Sequence, residues 1–103
     1  MKVSGQWYSE TTDPARLLTA IAHRIAAPCT FDSIAGAILA HCVIDSNRIT
    51  IAASIANGRG IFDLEVVGPN ESGLSTVREL EHVFTAVGLC KCVSHRNEGG
   101  TGC

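Results

Sequence analysis

Cys90, Cys92, His95 and Cys103 crowd into the closing segment LCKCVSHRNEGGTGC, and three thiolates with one imidazole are a chemically complete set for tetrahedral zinc. Cysteines at i and i+2 of a strand share a face, so Cys90 and Cys92 could reach one metal while His95 and Cys103 close the set. The spacing C-x-C-x2-H-x7-C matches none of the usual zinc patterns, and on a continuing strand His95 alternates to the far face. Two other readings stand beside the metal. In one, Lys91 faces water and the two cysteines pack into the core, as small thiols often do. In the other, Cys103 takes part in a disulfide or redox role.

Other candidate chemistry is thinner. His41 precedes Cys42 and His23 lies six residues before Cys29, but neighbours on a strand point to opposite faces, and Cys–His pairs are assembled in space. Asp63 and Glu65 share a face and have the right types for an acid/base pair, although alternating acids on a strand usually serve solubility. NGRG at 57–60 is followed by a strand, so it lacks the helix terminus that would hold a phosphate, and it reads as a turn.

These residues need a scaffold, and the periodicity supplies one. KVSGQWYS alternates as a strand, with Gly5 as its weak point. TTDPARLLTAIAHRIAAP predicts a helix from Pro14 to Ala27, capped by Asp13 and opened by Pro14, with Leu17, Leu18, Ile21, Ala22 and Ile25 on one arc. TFDSIAGAILAHCVID fits helix or strand and is read as one strand. IDSNRI suits a tight turn into RITIAASIA. IFDLEVVG puts Phe62, Leu64 and Val66 on one face. ESGLSTVRELEHVFTAVG predicts a second helix with Val77, Leu80, Val83, Phe84 and Val87 inward and Gly88 ending it, and LCKCVSHR closes as a strand. The expectation is an α+β, ferredoxin-like βαββ(β)αβ sandwich with two helices on one face of an antiparallel-rich sheet. It comprises one domain at 2–96 and a Gly-rich tail at 97–103.

Composition bounds the function. At 103 residues with 46% hydrophobic and 17% charged content, the chain has material for one packed core and no second domain. Eight basic against ten acidic residues, with the arginines dispersed, argue against a nucleic-acid partner. The most apolar run, IAGAILAHCVI, is too short to cross a bilayer, and the opening MKVSGQWYSE has no leader-like stretch. With five cysteines, an odd number, this predicts a cytoplasmic protein with reduced thiols.

The layout resembles the ACT domain, a small βαββαβ regulatory module. DPARLL opens the first helix after a strand, RITIAASIA stands as a central strand, and LSTVRELEHVFTAVGLCKCVSHR is similar to the family's closing helix and strand. The resemblance implies a homodimer that binds amino acids or similar effectors, with Asp13, Leu17 and Leu18 at the effector loop. Arg16 stands where the family usually carries glycine. The leading expectation is therefore a non-catalytic regulatory or interaction module, a homodimer, binding a small effector. Apolar residues read on both sheet faces, at Ile34, Ile38, Ile49, Ile51 and Ile55, motivate the second subunit. The alternatives are a small inhibitor or accessory protein of the phage or mobile-element kind that binds a host protein, and a zinc- or thiol-dependent protein using the closing cysteines.

Overall fold

The computed structural model describes residues 1–25 and 27–91, an α+β chain built on a six-stranded antiparallel sheet. The elements in order are β1 (Lys2–Ser9), α1 (Pro14–Arg24), β2 (Thr30–Ile34), β3 (Ala37–Ile44), β4 (Asn47–Ala56), β5 (Arg59–Val67), α2 (Gly73–Ala86) and β6 (Cys90–Lys91). The strands lie side by side as β2-β3-β4-β5-β1-β6. Four strands, not two or three, separate the helices. Among the described residues no helix is long and apolar enough to cross a membrane.

The extra strand arises where TFDSIAGAILAHCVID, expected as one strand, breaks at Ala35-Gly36 into a hairpin closed by Ile34 opposite Ala37. Three such two-residue turns follow one another, at Ala35-Gly36, Asp45-Ser46 and Asn57-Gly58, and every central residue has positive φ, between 48° and 83°. That is the backbone which type I′ hairpins require, because its twist matches that of the flanking strands. The second turn centres one residue earlier than IDSNRI suggested. Asn47 closes it from a fully buried position, where its amide nitrogen donates to the carbonyls of Ile44 and Asp45 at 3.1 and 3.2 Å.

Alternation then fixes which face each residue serves. Trp7, Phe62, Leu64, Val66, Ile49, Ile51, Ala53, Ala40 and Cys42 are buried beneath the helices with Leu18, Ile21, Val77, Leu80 and Phe84. The expectation that Ile38, Ile49, Ile51, Ile55 and Ile34 mark two apolar faces fails by register. Strand pairing puts the first four on the helix side, and only Ile34 points away. The first helix ends at Arg24, earlier than expected, and Asp13 caps it by accepting from the Arg16 amide at 3.2 Å.

Gly5 is explained by a close approach. The Trp7 indole folds back across it, meets Phe84 edge-on with ring centroids 4.8 Å apart, and a β-carbon at Gly5 would lie 3.0 Å from the indole. The indole must therefore shift to admit a side chain. Gly5→Ala is expected to cost about 1–3 kcal/mol, the usual range for overpacking. Urea denaturation with Trp7 fluorescence measures it, and an unchanged midpoint would contradict this account.

Candidate functional site

Among the described residues nothing covers the sheet face turned away from the helices, and on this bare face strand register writes the surface in cross-strand rows. One row runs Thr30, His41, Thr50, Glu65 and Ser4, and the next carries Val43, Arg48, Val67 and Lys2. The twisted sheet makes these two rows a groove of about 630 Å³, lined by Thr30, His41, Val43, Arg48, Thr50 and Glu65 among others. His41 Nδ1 lies 3.4 Å from Thr50 Oγ1, and Glu65 is neutralised by Lys2 at 3.1 Å. Among the described residues Arg48 makes no ion pair. A guanidinium, an imidazole and two threonine hydroxyls on one concave surface are groups that bind an anion.

Of the residues singled out beforehand, few meet. Asp13 is an exposed cap, Leu17 is half-buried, and Leu18 is fully enclosed in the core. Cys92, His95 and Cys103 lie outside the described residues. Cys90 pairs with Tyr8, and Lys91 pairs with Trp7. The reading of Cys90 as core-facing is therefore corrected by the register, while Lys91 is exposed as expected. Trp7 faces the helices, so Lys91 shares that side, where it meets Glu81 at 3.3 Å and the indole at 5.2 Å. Cys90 shares the bare face with Tyr8, and it is disulfide-bonded, which overturns the expectation of reduced thiols at this position, whereas Cys29 and Cys42 are free. Among the described residues no three His, Cys, Asp or Glu side chains converge as a metal site would need.

Neither family models nor curated proteins match this chain. Its chemistry has to be read from its own geometry.

That geometry separates the other candidates. His41 points to the bare face and Cys42 into the core, so the adjacent pair cannot work together. Asp63 accepts from Gln6 at 2.9 Å and Glu65 holds Lys2, which makes both carboxylates partners of β1. What sequence reasoning missed is a pairing of thiols. Thr30 opposes His41, so the next position outward sets Cys29 against Cys42, near enough for one thiol to perturb the other. The signal was hidden because Ala35-Gly36 is not an obvious turn, and without that turn residues 29 and 42 have no reason to meet.

Burial above all, and then the charge of the neighbouring Cys29, push the Cys42 thiol from its ordinary 9.0 up to about 12. Beside a free Cys29 thiol it is held protonated at neutral pH and does not compete for an external disulfide. The unfolded chain releases this proton near pH 9 while the native state holds it to about pH 12. Between those values unfolding releases a proton, so stability falls as pH rises. Urea midpoints at about pH 8 and about pH 10.5 should drop further in the wild type than in Cys42→Ala. Equal drops would remove Cys42 from the alkaline response.

Proposed function

We propose that this chain is a non-catalytic interaction module of the cytoplasm that works as a homodimer, joined through the free edge of β2, and that its bare sheet face receives a small anionic effector. The observation that carries the proposal is β2 itself. All five of its residues are exposed, Phe31 at 50% and Ile34 at 58%, and among the described residues no strand pairs with its outer edge. An unpaired edge with exposed apolar residues is a template for strand addition.

Edge pairing is favoured over stacking two sheets face to face. The bare face carries Lys2, Gln6, Arg48, Asp63 and Glu65, which stacking would strip of water. Edge pairing leaves them wet. A two-fold axis normal to the sheet keeps each face on its own side, so opposed residues must belong to the same face. With Phe31 on the axis, two phenyl rings face each other and Asp32 faces Thr30 of the second copy. With Asp32 on the axis, two carboxylates oppose, which is destabilising. The first register is the one assigned.

The ferredoxin-like, ACT-like expectation belongs to this proposal in a modified form, with a four-stranded meander between the helices where the family has two strands. Effector binding moves from Asp13, Leu17 and Leu18 to the groove at Arg48, because Leu18 is closed in the core.

Sedimentation velocity tests the dimer. The wild type should sediment as a dimer, and Phe31→Lys should weaken association by about thirtyfold, the loss expected for a hot-spot aromatic. Its melting temperature at low concentration should stay unchanged because Phe31 is exposed. A wild-type monomer, or a Phe31→Lys dimer of undiminished affinity, would overturn the reading. The groove is tested by thermal shift with small di- and tricarboxylates and with phosphorylated metabolites. Stabilisation by at least one, lost in Arg48→Met, is expected; no response across the set would remove the effector.

A further inference from the structure

We infer that Cys29 and Cys42 form a reversible dithiol–disulfide couple that staples the edge strand β2 to β3. The inference stands independently of dimerisation. Both thiols are free, and they face each other across two paired strands. Directly opposed residues of an antiparallel pair have Cα atoms about 4.5 or 5.5 Å apart, and both spacings fall inside the range a disulfide spans. The two thiols are near enough for Cys29 to oppose ionisation of Cys42.

The two sulfurs are unequal, and the inequality orders the reaction. Cys29 is partly exposed, with its Sγ 3.7 Å from the Ala27 carbonyl, whereas Cys42 is 8% exposed. The oxidant is a low-molecular-weight disulfide, RSSR. The Cys29 thiolate attacks one of its sulfurs, breaks the S–S bond and releases RS⁻, which leaves Cys29–S–SR. Cys42 then loses its proton to solvent and attacks the Cys29 sulfur, expelling a second RS⁻. The protein loses two hydrogens and two electrons, and RSSR becomes two RSH. The second step is helped because Cys29, once in a mixed disulfide, no longer bears the charge that opposes ionisation of Cys42. Their opposition across the paired strands supplies a high effective concentration for closure.

The consequence falls on β2, which among the described residues is held to the sheet along one side only. A bond at its start closes the loop over the hairpin and lowers the entropy of the peeled state.

Tryptic cleavage makes the test direct. Between Arg24 and Arg48 there is no lysine or arginine, so residues 25–48 form one peptide holding Cys29 and Cys42 and none of the other three cysteines. The reduced full-length chain is incubated with oxidised glutathione, quenched with iodoacetamide, digested and weighed. The expected product is peptide 25–48 lighter by two hydrogens and without alkyl groups. Cys42→Ser should stop at a mixed disulfide on Cys29, and Cys29→Ser should leave Cys42 unmodified. In the oxidised wild type, the β2 amides should exchange on the order of tenfold to a hundredfold more slowly, as expected for a closed loop of this size. A wild-type peptide that still takes two alkyl groups, a link from Cys29 or Cys42 to another peptide, or rapid modification of Cys42 in Cys29→Ser would overturn the inference.

Discussion

Two helices can shelter only so much sheet. Packed side by side they cover about 20 Å, or about four strands at the usual spacing, and this sheet has six strands. The helices contact each other, α1 lies against β3 and β4, and α2 lies against β5. The core therefore sits over the middle of the sheet, where Ile49, Ile51, Leu64 and Val66 are nearly without solvent contact. What the helices cannot reach becomes surface by default. That surplus is β2, together with the whole far face, and every functional reading above draws on one or the other.

The pieces that were legible in the sequence are those whose signals are local. Asp13 and Pro14 announce the first helix, Val77, Leu80 and Phe84 repeat at helical spacing, and Phe62, Leu64 and Val66 alternate. Asn57-Gly58 is a strong turn signal, and it forms the turn. Ala35-Gly36 is not, since alanine has no chemical preference for a left-handed backbone, and the missed turn hid a strand. The missing strand in turn hid the width of the sheet. One turn residue thus separated a reading of a compact module from a reading of a sheet wider than its helices.

Site residues were less legible, for a related reason. Arg48, Thr50, His41 and Thr30 come together only through the register of three strands. The same register brings Cys29 to Cys42. Cys90 shows the opposite error: alternation along the strand was read correctly, but its phase depends on which β1 residue it faces, and pairing with Tyr8 reverses it. Periodicity says that residues i and i+2 agree. Only a neighbouring strand says which side they agree on.

Ala35 sits at φ 48°, in the left-handed region that L-alanine enters at a cost of roughly 1–2 kcal/mol. The cost is attached to the hairpin with the least burial to offset it, since β2 is exposed along its whole length. Local opening is therefore graded across the meander, easiest at β2 and hardest at β4 and β5, whose side chains fill the core. In the language of cooperative unfolding units, β2 is a separate foldon from the rest of the sheet. It can detach and re-form while the core remains native.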